Sequence, residues 1–144
     1  MIDFGLCTEY LDQSTGKHIA FGQTQEFVGN MAFSSKYAMD FSTQGRRDDL
    51  ISLSYLLLYL RVGQLDFLDY PCSLKDPKKI FEYVCKRKHE LTPHDLCSSK
   101  RAKVFFGFMN KIHSMHFEEE PDYKTLKQML LSISDAHLLQ ISNN

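Results

Sequence analysis

No apolar run in the sequence reaches the ~20 residues that a membrane-spanning helix requires, so no span is expected. No basic stretch with an apolar core stands at the start. Met1 leads directly into Ile2, Asp3 and Phe4, and no secretory signal is expected. An excess of basic charge is also missing. Lys and Arg number 17 against 18 Asp and Glu, for a net charge of −1. That balance argues against a general nucleic-acid binder. None of Cys7, Cys72, Cys85 and Cys97 forms a C-x-x-C pair, and no Cys/His set repeats at zinc-finger spacing. Without a leader these thiols are expected to be reduced, in a cytoplasmic or nuclear protein. There is no internal repeat and no low-complexity tract. Strand signal is nearly absent: Met1-Ile2 can end one strand, and residues 17–21 can form a short second one.

The 144 residues are 43% hydrophobic and 24% charged, which is ordinary for one globular domain. A chain of this length buries about 70% of its unfolded surface. Residues 6–45 read as irregular, rich in Ser, Thr, Gln and Gly, with a turn at Asp12-Gln13-Ser14-Thr15-Gly16. A loop of that length is usually functional or disordered. The pattern then changes. Asp48-Asp49 suit a helix N-terminus, and residues 50–60 are apolar or aromatic except Ser52 and Ser54. A helix apolar all round is expected to be buried at the centre of a bundle. Asp76-Pro77 reads as a cap and first turn, followed by Ile80, Phe81, Val84 and Cys85 on one face and closed by Lys86-Arg87-Lys88. Ser98-Ser99 can cap a helix carrying Phe105, Phe108, Met109 and Ile112. Pro121-Asp122 opens a last helix with Tyr123, Leu126, Leu130 and Ile133 on one side. Residues 139–144 are expected to fray.

Asp3-Phe4-Gly5 is the first motif with chemistry. A carboxylate there suits Mg²⁺, a hard cation that prefers oxygen ligands, and the glycine permits a sharp turn. Three residues alone are weak, because such matches recur by chance. Downstream stands Gln44-Gly45-Arg46-Arg47-Asp48-Asp49-Leu50-Ile51-Ser52-Leu53. This block resembles the Q-S-R-R-D-D-L-x-S-L block of the casein kinase I family of serine/threonine protein kinases. Ile2-Asp3-Phe4-Gly5-Leu6, Tyr10, Asp12, Thr15, His18-Ile19 and Gly29 fall in the same register without a gap. Gly63-Gln64-Leu65 is similar to the family's G-S-L, and Thr92-Pro93 to its T-P. Phe117 to Tyr123 with Leu126 is similar to its R-F-x-x-x-P-D-Y-x-x-L. Only residues 66–91 match loosely.

The resemblance implies a mainly α fold: a partial kinase large lobe without the small lobe, spanning residues 1–138. Residues 1–37 would hold the Asp-Phe-Gly motif and activation segment, 47–61 the central helix and 76–138 the distal helices. Asp3 would bind the magnesium of Mg-ATP, Ile2 would line the nucleotide pocket, and Phe4 and Gly5 would set the local geometry. Gly29, Asn30, Ser34 and Ser35 would face the substrate hydroxyl. Arg46 and Arg47 would brace the loop under the site, with plain surface arginine as the other reading. Asp49 would be the organising carboxylate that holds the catalytic-loop backbone. The parent activity is transfer of the γ-phosphoryl group of Mg-ATP to Ser or Thr of proteins.

Several parts of that machinery do not occur in these residues. There is no G-x-G-x-x-G, no strand Lys paired with a helix Glu, and no H-R-D-x-x-x-x-N. The chain is therefore expected to be the back part of a kinase domain, with no catalytic base of its own, no bound nucleotide and no activity alone. Asn30 stands where the family has Thr, and Ala32 where it has an Arg that engages phosphorylated substrates. Lys75, Lys78, Lys79, Lys86, Arg87 and Lys88 form a basic cluster. It suits acidic or phosphorylated protein partners, or is simply a solvated helix face. His113 and His116 are one turn apart without a third ligand and read as packing or surface residues. The alternative to a kinase fragment is a non-catalytic, pseudokinase-like binding module. In either case the helix at 50–60 is expected to expose apolar surface that its missing partners would cover.

Overall fold

The computed structural model describes residues 4–142, with side chains as far as Ile133. Its regular structure is helical. Among the described residues, extended pairing is limited to single bridges between Leu11 and His18 and between Gln23 and Ser42. The short strand expected at 17–21 reduces to the first of these. The Asp12 turn forms as expected. Its Oδ1 accepts from Ser14 N and Thr15 N, both at 2.9 Å, and from the Ser14 hydroxyl. These bonds, the Ser14 hydroxyl first, hold the exposed carboxyl below its usual range.

The described residues form six α-helices: α1 (Lys36–Met39), α2 (Arg46–Val62), α3 (Pro77–Glu90), α4 (Pro93–Leu96), α5 (Phe106–His113) and α6 (Tyr123–Ser142). Their starts follow from local chemistry. Asp48 and Asp49 lie in the first turn of α2, where the helix dipole favours negative charge. Asp76 caps α3 by accepting from Lys78 N at 2.9 Å, with Pro77 next in the chain. Thr92 and Asp95 exchange bonds across the first turn of α4 in a capping box. Asp122 accepts from Thr125 N and Oγ1 at the head of α6. Gly63 ends α2 at φ 84°, a left-handed conformation natural to glycine, and its N–H reaches Tyr59 O.

The core lies where α2 packs on α5. Ile51, Tyr55 and Leu58 from α2 meet Phe108, Met109 and Ile112 from α5, and Phe67, Val84, Leu96 and Leu126 close the cluster. All four α5-region positions expected from helical spacing, Phe105 included, are buried. α6 departs from expectation at one position: Tyr123 is 54% exposed, while Leu126 is buried. Among the described residues no helix is long and apolar enough to cross a membrane.

α2 is not buried all round. Leu53, Leu56, Tyr59 and Leu60 are exposed, with Leu60 at 70%. Leu53, Leu56 and Leu60 share one side at i, i+3, i+7 spacing, opposite the core face. An uncovered apolar stripe of this kind drives association. Replacing Leu56 and Leu60 with Lys should therefore leave the melting temperature nearly unchanged and reduce self-association. Sedimentation velocity across a concentration series checks this.

Candidate functional site

The residues expected to face a substrate gather between the irregular segment and the first turn of α2. Gly29 sits at φ 138°, a backbone conformation that L side chains rarely adopt and that favours glycine. Asn30 turns the chain next. Its Oδ1 accepts from Ala32 N at 2.8 Å, and its carbonyl accepts from Ser34 N at 2.8 Å. The side-chain oxygen is thus committed to its own turn. Ser35 ends the segment and caps α1, accepting from Ala38 N at 3.1 Å. Its hydroxyl donates to Asp48 Oδ1 at 2.7 Å.

Asp48 is 1% exposed. Its second oxygen accepts from Gly45 N at 3.0 Å, and an Arg47 nitrogen lies 3.6 Å from the first. Arg47 is itself buried, with its guanidinium 3.6 Å from the centre of the Tyr37 ring. Arg46 donates to Glu118 O at 3.1 Å and lies over Tyr10 at 4.7 Å. Neither arginine is a plain surface residue. Arg46 ties the segment at Tyr10 to the loop before α6, and Arg47 sits under α1.

The neighbouring Asp49 is different. It is exposed, and no hydrogen bond holds its carboxylate among the described residues. Burial, then the adjacent Asp48, pushes its carboxyl above the usual range. Within this chain the carboxylate that organises the helix start is Asp48. Asp49 holds no backbone here. Phe4 is 62% exposed and Gly5 is exposed, while Ile2 and Asp3 lie outside the described residues.

The basic cluster divides. Lys75, Lys78, Lys79 and Lys86 are exposed, and Arg87 pairs with Glu90 at 2.8 Å. Lys88 belongs to the interior, at 2% exposure. Its ammonium donates to Ser34 O (2.6 Å), Met31 O (2.8 Å) and Ala32 O (3.3 Å), and it sits over the Phe67 and Tyr55 rings. Burial lowers its pKa to about 7. Sequence reading took Lys88 for part of a solvated or ligand-binding run. The missed signal is spacing: Ile80, Val84 and Lys88 follow at i, i+4, i+8, which puts this lysine on the core face.

His113 and His116 do not meet as a pair. His113 lies edge-on to Tyr55 on α5, and His116 is exposed beyond the helix. Burial, then the charge of Lys36, lowers the His113 pKa to about 4. A second polar cluster, Asp40 with Cys85 and His89, escaped sequence reading because 45 residues separate its halves. Burial and the Asp40 carboxylate push the Cys85 thiol up to about 11, so it is not a nucleophile at neutral pH. No protein-family model matches the chain.

Two predictions follow from these environments. Asp48→Ala strands a buried hydroxyl and a backbone N–H and should cost about 2–4 kcal/mol, whereas Asp49→Asn should change stability by less than ~0.5 kcal/mol. Urea unfolding of both variants checks the contrast. His113 stays neutral in the folded chain down to about pH 4 but takes up a proton near 6.5 when unfolded. The unfolded state therefore binds more protons in that window, and stability falls as pH drops through it. The urea midpoint should decline more between pH 7 and 5 for the parent than for His113→Gln.

Proposed function

We propose that the chain is the back part of a casein kinase I-like serine/threonine kinase domain: its activation segment and the distal helices of its large lobe. The observation that carries this reading is the order and register of residues 2–6, Gly29, 44–53 and 117–126. The Ser35–Asp48 bond, which ties the segment after Gly29 to the block at 44–53, is in keeping with it. In the full domain Asp3 would ligate magnesium, Ile2 would touch the nucleotide, and the turn at Gly29 to Ser35 would face the Ser or Thr hydroxyl of a protein substrate. Ala32, in place of a basic residue, removes one contact to phosphorylated substrates.

These residues alone do not make a nucleotide site. A single carboxylate without a phosphate cradle, a strand Lys or a catalytic Asp supports no phosphoryl transfer. The test is a chimera in which the front part of a casein kinase I-family enzyme, through its catalytic loop, precedes Met1. Phosphorylation of a Ser-containing acidic peptide should appear in the chimera and fall to background with Asp3→Asn, while the chain alone shows none. A folded chimera that neither binds Mg-ATP nor transfers phosphate sinks the reading. The second reading, a non-catalytic binding module, draws on the open apolar side of α2 and needs no nucleotide.

A further inference from the structure

Asp40, Cys85 and His89 come from two elements brought together by the fold. Cys85 and His89 are four residues apart on α3 and so project from the same face, one turn from each other. Asp40 is the C-terminal cap of α1, its N–H held by Lys36 O and Ala38 O. The Phe41 carbonyl that follows accepts from both Thr24 N (2.6 Å) and Thr24 Oγ1 (3.1 Å). The carboxylate is thus presented to α3 from a fixed backbone.

The ligand atoms converge. One Asp40 oxygen lies 3.5 Å from Cys85 Sγ and 3.0 Å from His89 Nε2, and the other lies 2.8 Å from Nε2. One sulfur, one nitrogen and one carboxylate oxygen all lie within 4.8 Å of one another. Around a tetrahedral Zn²⁺, with bonds of about 2.0–2.3 Å, ligand atoms stand about 3.4–3.6 Å apart. The sulfur–oxygen spacing already fits, and the oxygen–nitrogen spacing needs to open by only about half an ångström.

We propose that Asp40, Cys85 and His89 form a zinc site with three protein ligands and a fourth position open to water. Thiolate and imidazole donors select zinc over the hard cations magnesium and calcium, which take oxygen ligands. A thiolate and a carboxylate together balance the charge of the divalent ion. The nearest buried cation, Lys88, is occupied by the carbonyls of Met31, Ala32 and Ser34, not by the three ligands. His89 is exposed and Cys85 and Asp40 are half-buried, so an ion reaches the site directly from solvent. The same atoms are poorly arranged for a cysteine nucleophile, because the thiol donates to the carboxylate and not to the imidazole. The ion would clip the end of α1 to α3, one residue from the lysine that holds the substrate-facing turn. Zinc would thereby stabilise residues 29–42 as a unit.

The test uses the full chain with the exposed Cys7 and Cys72 replaced by serine, since these thiols also take up metal. Titration with Zn²⁺ against a chromophoric chelator should give one equivalent per chain. Co²⁺ should give a thiolate charge-transfer band that Cys85→Ser abolishes. Asp40→Ala and His89→Ala should each weaken Zn²⁺ binding about tenfold or more, the scale set by loss of even a supporting group. Zn²⁺ should also raise the urea unfolding midpoint of the Cys7/Cys72-substituted chain and leave that of its Cys85→Ser variant unmoved. A midpoint unmoved by excess Zn²⁺, or Zn²⁺ affinity unaltered in Cys85→Ser and His89→Ala, overturns the site and leaves an ordinary ion pair between Asp40 and His89.

Discussion

The bond between Ser35 and Asp48 decides where the irregular front of the chain lies. A carboxylate this deeply buried is costly unless its oxygens are filled, and here they are filled by a hydroxyl and a backbone N–H on opposite sides of one turn. Satisfying that one group fixes the approach into α2 and the start of α1 together. α2 in turn carries Ile51, Tyr55 and Leu58 into the core against α5.

Lys88 completes the arrangement from the opposite side. Its three carbonyl acceptors are consecutive or nearly so along the turn that ends at Ser35. Segments of this length without sheet pairing are normally mobile. A buried carboxylate and a buried lysine, each bonded to backbone, here take the place of a strand ladder. Aromatic contacts reinforce them. Phe27 meets Phe81 at 5.2 Å, Phe33 meets Tyr59 at 5.8 Å, and His18 and Phe21 meet Phe117. Each joins the irregular segment to a helix or to the loop before α6, so the segment is packed by its side chains.

Local chemistry was legible in the sequence where neighbours a few residues apart decide the structure. The cap at Asp76, the turn at Asp12 and the buried face of α5 all follow from short spacing. What was not legible depends on partners far along the chain. Lys88 reads as solvated charge until the carbonyls 54 to 57 residues earlier are brought to it. Asp48 and Asp49 are adjacent carboxylates with the same neighbours, and only the packing of α1 shows which one turns inward. Composition also misread α2. An apolar run shows that a helix has apolar surface on every side, not that every side finds a partner within the chain.

The division of labour between those two carboxylates bears on the proposed function. Successive residues on a helix point about 100° apart, so one of the pair must leave the core if the other enters it. Asp49 falls at i, i+4, i+7 and i+11 with Leu53, Leu56 and Leu60, the exposed stripe of α2. A carboxylate at the head of an exposed apolar stripe suits a partner that brings backbone N–H donors and apolar side chains together. On the proposed reading that partner is the catalytic-loop part of the domain, whose backbone the family's corresponding Asp holds. On that reading the hydrogen bonds of Asp49 would form with the surface that covers the stripe, while Asp48 secures the start of α2 to α1.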